Sequence, residues 1–144
     1  MKSLFNRSPH FYRNWFWFCL ILILTVSSIP GLPDPTLRLN SISFEFRTDY
    51  FLHLLQYTVL TSLFIFWQSH KKQKITRNIV VLALVMGIIL SIADETHQLF
   101  ITGRRFNPVD MIYNCLGVLS GVIFSYWYLN KAKKRSMHDS ITNV

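Results

Sequence analysis

The chain has 144 residues, a hydrophobic content of 51% and a formal net charge of +8. That length suits a single domain, but a soluble domain of this size has too little interior to bury so many aliphatic and aromatic side chains. The composition therefore excludes an ordinary soluble protein. The basic residues flank apolar runs, which is typical of membrane topology and does not indicate a nucleic-acid partner.

Four apolar runs organise the sequence, at residues 15–29, 50–67, 79–93 and 109–129, and they predict spans at about residues 14–30, 50–68, 79–99 and 109–129. Each approaches or reaches the roughly 20 residues that cross a bilayer as a helix. We predict an all-α, polytopic membrane protein whose single domain, residues 1–135, is a bundle of four transmembrane helices. The remaining tail, residues 136–144, is predicted to be disordered.

The first run also resembles a signal peptide, because basic residues precede a short apolar segment. Its end offers only Ser27 as a small residue for cleavage, and Trp15 and Trp17 suit a membrane interface. These features favour a retained helix over a cleaved signal.

Charge asymmetry between the connecting segments predicts the orientation in the membrane. Three segments carry the clustered cations: Lys2, Arg7 and Arg13; Lys71, Lys72, Lys74 and Arg77; and Lys131, Lys133, Lys134 and Arg135. By the positive-inside rule these segments are predicted to be cytoplasmic, so both termini lie on the cytoplasmic side of the membrane. Nearly all the acids then face outward. Residues 36–47, without a clear period, are interpreted as an outer loop on the membrane surface or folded back over the site.

The second predicted span opens with a polar stripe. Asp49, His53 and Tyr57 are spaced four and four residues apart, so they share one face of a helix. His53 is the most chemically versatile of the three.

The third apolar run is only fifteen residues long, 79–93, and covers about 22 Å of a hydrocarbon core about 30 Å thick. A spanning helix must therefore continue through four polar residues, Asp94, Glu95, His97 and Gln98. Ionisable groups at this depth are expected to point into the bundle or a wet cavity. Because neighbouring helical residues diverge by about 100°, we expect only one of Asp94 and Glu95 to face that cavity.

A short hinge leads into the fourth run. Gly103 permits the reversal, and Asn107 with Pro108 is typical of a helix start. One face of the following helix then carries Asp110, Asn114, Gly117 and Gly121. The two glycines form a GxxxG pair, which allows another helix to approach closely.

In this order, the elements D-x-x-x-H-x-x-x-Y, D-E-x-H-Q and G-R-x5-D-x3-N-x2-G resemble the VanZ-like family of small bacterial membrane proteins. They are carried by Asp49, His53 and Tyr57; by Asp94, Glu95, His97 and Gln98; and by Gly103, Arg104, Asp110, Asn114 and Gly117. One departure is Tyr50, where the family commonly has lysine after the first acid.

The resemblance implies a cell-envelope setting and a possible role in resistance to the glycopeptide teicoplanin, without an established reaction. We therefore keep two hypotheses. In one, the protein modifies an envelope lipid or lipid-linked cell-wall precursor, with His53 as general acid or base, Asp94 or Glu95 orienting it, and Arg104 with Asn114 holding a developing anion. In the other, a non-catalytic accessory protein uses the same cluster to bind a lipid, a glycopeptide or a partner.

Simpler structural roles compete for several of these residues. For Asp110 the alternative role is to cap the helix. For Arg104 it is an ion pair with Asp94, Glu95 or Asp110. For Tyr57 it is that of an aromatic residue at the membrane interface. Metal ligands are also available in His53, Asp94, Glu95, His97 and Asp110. No HExxH-like spacing supports a metal, so no cofactor is predicted and a divalent metal remains the alternative.

Overall fold

The computed structural model describes residues 8–30, 36–38, 45–72 and 74–142. Four helices dominate this part of the chain: α1 (Pro9–Ser27), α2 (Thr48–Lys72), α3 (Arg77–Gln98) and α4 (Pro108–Thr142). Two short strands, β1 (Thr36–Arg38) and β2 (Glu45–Arg47), pair antiparallel between α1 and α2.

Three of the helices are long and apolar enough to cross a membrane, over Asp49–His70, Arg77–Gln98 and Pro108–Ala132. The prediction of an all-α, polytopic bundle of four helices is confirmed. Their lipid-compatible surface is visible in the many large apolar side chains that the bundle leaves exposed, among them Leu82, Ile89, Leu119 and Ile123. The orientation of the termini stays a prediction.

Helix α1 runs along the bundle beside α2. Near its start the Tyr12 ring lies 5.8 Å from that of Phe66, and Phe16 lies 5.7 Å from Phe64, in each case between ring centroids. At its other end, backbone carbonyls accept hydrogen bonds from Arg104 on the α3–α4 connection. Its 19 residues extend about 28 Å, so α1 reaches from the far end of α2 to the hinge.

Small residues bring α2 and α4 together. A Cβ atom added to Gly117 would lie 2.5 Å from the Leu54 carbonyl oxygen, and one added to Gly121 would lie 2.7 Å from that of Thr58. Next to these contacts, the Thr58 hydroxyl donates to the Gly117 carbonyl at 3.2 Å. The glycines that we assigned to helix packing therefore lie where α4 contacts the α2 backbone.

The α3–α4 contact uses a glycine that we did not single out. A Cβ atom added to Gly87 would come within 2.6 Å of a Val118 methyl group. Helix α3 begins at a Thr76 cap whose side chain accepts from the Ile79 backbone N–H at 3.4 Å. It continues through Asp94 and Glu95 as predicted, and Gly103, with φ of 82°, makes the reversal.

Two segments differ from expectation. Helix α4 continues to Thr142, through most of the tail predicted to be disordered, because residues 130–142 contain neither glycine nor proline and include several good helix formers. The predicted loop over 36–47 contains the paired strands. Strands of three residues are too short to leave a periodic pattern, so the sequence did not predict their pairing. Residues 39–44 of that loop lie outside the described residues.

Candidate functional site

Polar side chains are concentrated at one end of the bundle, where α2 begins, α3 ends and α4 begins. Asp94, Glu95 and Asn114 are at most 2% exposed, and Asp110 is 5% exposed. Burial on this scale is costly for carboxyl and amide groups unless they find partners. These polar groups therefore form the interior of this end of the bundle, while the outer surface of the helices remains apolar.

His53 lies at the centre of this cluster. Its Nδ1 atom is 3.0 Å from Asn114 Oδ1, and its Nε2 atom is 3.5 Å from Asp49 Oδ1 and 3.9 Å from Asp110 Oδ2. An amide oxygen only accepts, so Nδ1 is the donor in the first contact. The imidazole thus points Nε2 at carboxylates from two helices.

Both acids of α3 belong to the cluster. His53, Asp94 and Glu95 each offer one ligand atom, and these three atoms lie within 4.8 Å of one another. The expectation that only one acid faces the cavity was wrong. The two side chains diverge around α3, with Asp94 beside Ser27 of α1 and Glu95 reaching the start of α4, yet His53 is close to both.

The start of α4 is tied to α3 through Asn107. The Asn107 side-chain oxygen accepts from the Val109 backbone N–H at 3.0 Å, which satisfies one free amide of the helix end. Its own backbone N–H donates to Glu95 Oε2 at 3.3 Å. Asp110, for which we considered a capping role, points one carboxylate oxygen toward His53.

Arg104 contacts α1 and does not close an ion pair with the acids. Its Nε donates to the Ile29 carbonyl at 3.3 Å and its Nη2 to the Val26 carbonyl at 3.4 Å. The carboxylates of Asp49 and Asp110 lie within 4.0 Å of His53. The ion-pair alternative for Arg104 was therefore wrong, although its charge is close enough to act on Asp94 at longer range.

The remaining predicted residues lie around this centre. Tyr57 is 1% exposed, so it is not an interface aromatic, and it is close enough to interact electrostatically with Asp94 and Glu95. Gln98 is buried near the end of α3. His97 lines an open groove of about 510 Å³ together with Ile89, Ile92, Ala93, Thr96 and Phe100.

Several buried polar atoms of the cluster have no hydrogen-bond partner. They include Asp94 Oδ1, Glu95 Oε1 and Asn114 Nδ2. Leaving such an atom unpaired costs about 1–3 kcal/mol, and more for a charged group. The cluster therefore presents acceptor oxygens and an amide donor that a bound species could satisfy.

Ser27 and Asn107 are the site residues that the sequence patterns did not identify. Ser27 is 6% exposed and lies beside the Asp94 carboxyl group, without the geometry of a hydrogen bond. The spacing of α1 gives a partial signal for Ser27, because it follows the buried Ile23 by four residues and therefore shares the inward face of the helix. The contact between the Asn107 backbone and Glu95 has no such pattern.

The cluster offers two sets of residues that could hold a metal ion. One set is His53, Asp94 and Glu95, and the other is Asp49, His53 and Asp110. Both include the same imidazole, and both combine it with carboxylates. Without a metal, the same atoms suit proton transfer at Nε2 or the binding of a polar group that fills the unpaired positions.

Comparison with known proteins gives one family. The family model described as VanZ/LLP1 matches residues 5–129, which include every residue of the cluster. No curated protein and no solved structure matches the chain. Because the match covers most of the sequence, the chain belongs to the VanZ/LLP1 family.

Proposed function

We propose that this protein binds the polar headgroup of an envelope lipid or a lipid-linked cell-wall precursor, with His53 positioned for acid–base chemistry on it. One observation carries the proposal: a half-buried histidine surrounded by four carboxylates and an amide at one end of an apolar helical bundle. Ionisable groups within membrane helices are costly, and they usually serve binding or chemistry.

The geometry supports specific roles. Asn114 orients the imidazole through its contact with Nδ1, the role that we had assigned to a carboxylate, and leaves Nε2 for a proton of the substrate. The unpaired Nδ2 of Asn114 is a donor for a negatively charged oxygen. Arg104, at the edge of the site, supplies positive charge for an anionic headgroup.

The groove beside His97 favours a lipid over a free glycopeptide. Its walls are mainly apolar side chains of α3, and this face of the helix is exposed on the bundle surface. An acyl or prenyl chain lying there would place its headgroup near the end of α3. A soluble, polar antibiotic gains little from such a surface.

Charge separation favours an outward-facing site. The cluster with its acids lies at the α3–α4 end of the bundle, whereas the described cations of the opposite end include Lys72, Lys74, Arg77 and Lys131. Segments rich in lysine and arginine stay cytoplasmic. The site would then meet lipids of the outer leaflet of the inner membrane.

Purified protein distinguishes binding from modification. Wild-type protein and the His53→Gln variant would be extracted in mild detergent, and the lipids that copurify would be identified by mass spectrometry. We expect a lipid class enriched with wild-type protein and lost from His53→Gln, while His70→Gln, on the same helix at its other end, keeps it. A new lipid product after incubation indicates catalysis, and an unchanged bound lipid indicates the accessory role. Equal lipid content in all three preparations would contradict the proposal.

A further inference from the structure

We propose that His53, Asp94 and Glu95 bind a divalent transition-metal cation of the Mn²⁺ or Zn²⁺ class. The inference deepens the headgroup-binding part of the proposed function and rests on it for the role of the ion; with the ion bound, His53 is a metal ligand and not an acid or base. Metal binding itself is measured without any lipid substrate. Nothing in the family match assigns a metal to this site.

The spacing of the ligand atoms fits an ion. One atom from each of the three side chains lies within 4.8 Å of the others. Ligands at about 2.0–2.2 Å from Zn²⁺ are separated by about 3–4.4 Å, depending on the angle between them. Small side-chain rotations therefore bring all three atoms into coordination, with no change in the helices.

The histidine already has the orientation of a ligand. Asn114 accepts from Nδ1 at 3.0 Å, so the lone pair of the ring lies on Nε2, which is 3.5 Å from Asp49 Oδ1 and 3.9 Å from Asp110 Oδ2, while one nitrogen of the same ring lies within 4.8 Å of Asp94 and Glu95. A histidine bound to a metal almost always donates its other N–H to an oxygen acceptor of this kind, which fixes the ring. Asn114 thus serves as a positioning residue for His53.

The two acids have oxygens in need of a partner. Asp94 is 2% exposed and Glu95 is 0% exposed, and Asp94 Oδ1 and Glu95 Oε1 make no hydrogen bond within the described part of the chain. Buried carboxylates are normally paired or coordinate a metal. A cation between α2 and α3 would satisfy both oxygens at once.

The charge of the cluster also calls for a cation. The buried acids Asp94 and Glu95 share the single imidazole of His53, whereas the nearby Arg104 donates to carbonyls of α1. In a medium of low dielectric constant such an excess of acid is unfavourable. A divalent ion offsets it from inside the cluster.

The types of ligand determine the class of ion, and their burial determines which ligand set, here called the seat, holds it. Imidazole suits Zn²⁺ and related ions, and carboxylates suit Mn²⁺, Mg²⁺ and Ca²⁺, so a mixed set favours Mn²⁺ or Zn²⁺. Because Nε2 binds one ion, the set with Asp49 and Asp110 is an alternative seat for that ion. The seat with Asp94 and Glu95 is preferred because both of its acids are buried, whereas Asp49 in the other set is only half-buried. There the ion would attract an anionic oxygen of a headgroup.

The first experiment measures metal content and affinity. Protein purified in detergent, without chelator, would be analysed by elemental mass spectrometry, then stripped with EDTA and titrated with Mn²⁺, Zn²⁺, Mg²⁺ and Ca²⁺. We expect about one Mn²⁺ or Zn²⁺ per chain, and a rise in the melting temperature of the stripped protein when that ion is added. Wild-type protein that neither retains nor binds Mn²⁺ or Zn²⁺ overturns the inference, whatever the variants do.

Variants of the candidate ligands show which set of residues binds the ion. Glu95→Gln and Asp94→Asn keep the size of each side chain and remove its charge, and each should weaken binding by at least about tenfold. Asp49→Asn should weaken it less, and His70→Gln should leave it unchanged. If Asp49→Asn abolishes binding and Glu95→Gln does not, the proposed seat is wrong. Metal binding without any lipid effect in cells would contradict the proposed function alone, and the reverse result would contradict the metal site alone.

Discussion

His53 Nδ1 and Asn114 Oδ1 meet at 3.0 Å across the α2–α4 interface, although the two residues are 61 positions apart in the chain. This contact lies one turn of α4 above Gly117, where α4 contacts the backbone of α2. The small-residue packing of the helices and the orientation of the histidine are therefore parts of one interface.

Replacing Asn114 tests its positioning role. Asn114→Leu keeps a similar volume but removes the acceptor, so Nδ1 loses its partner. We expect metal affinity to fall by about 10–100-fold. Asn114→Asp retains an acceptor oxygen and should keep binding. Titration of the stripped proteins with Zn²⁺ and Mn²⁺ measures both, and equal affinity of Asn114→Leu and wild type would contradict the role.

Gly117→Ala should loosen the α2–α4 interface. The new Cβ atom would lie 2.5 Å from the Leu54 carbonyl oxygen and 2.9 Å from Tyr57 Cβ, so the helices must separate. We expect a loss of about 1–3 kcal/mol in stability, seen as a lower melting temperature in tryptophan fluorescence. Leu119→Ala, on the exposed side of the same helix, is the control and should change the melting temperature little.

The contact between Gly87 and Val118 can be tested with a double-mutant cycle. Gly87→Ala alone would place a Cβ atom 2.6 Å from a Val118 methyl group, and Val118→Ala alone would leave a void. Together the two changes exchange the methyl groups across the interface. The double variant should be more stable than the sum of the single effects by about 1 kcal/mol. Strict additivity of the melting data would show that α3 and α4 are not in contact here.

Arg104→Gln should release the end of α1 from the α3–α4 connection. The arginine donates to two carbonyls at that end, of Val26 and Ile29. Because these bonds are exposed, the cost to overall stability should be small, about 1 kcal/mol or less. Hydrogen exchange should nevertheless become faster around residues 24–29. Arg105→Gln, at the exposed neighbouring position, should leave that exchange unchanged.

Labelling in intact cells tests the orientation of the site. After replacement of Cys19 and Cys115 by serine, Thr102→Cys on the hinge should react with a membrane-impermeant maleimide, because we place the hinge outside. Lys74→Cys, on the α2–α3 connection, should react only after lysis. The opposite pattern would invert the topology and place the site in the cytoplasm.

Helical spacing was sufficient to predict most of the site. Asp49 and His53 share a face of α2, and Asp110 and Asn114 share one of α4, so their convergence follows once the helices are antiparallel neighbours. The shortness of the third apolar run placed Asp94 and Glu95 inside the bundle. The GxxxG pair marked the face of α4 that contacts α2.

Contacts between distant segments could not be predicted in the same way. The pairing of Arg104 with α1 carbonyls depends on where α1 ends relative to the hinge, which no local pattern encodes. Asp94 and Glu95 both reach the cluster because different helices, α1 and α4, receive them on either side of His53. Gly87 lies within an apolar run, where its contact with Val118 leaves no periodic signal.

The most direct test of the central claim, that the His53 cluster is a functional site for an envelope lipid, is the lipid profile of cells. Cells without the protein would be compared with cells that express wild type, His53→Gln or His70→Gln at equal membrane levels. We expect wild type and His70→Gln to shift the abundance of the same lipid or lipid-linked precursor, and His53→Gln to match cells without the protein. Identical shifts with wild type and His53→Gln would contradict the claim.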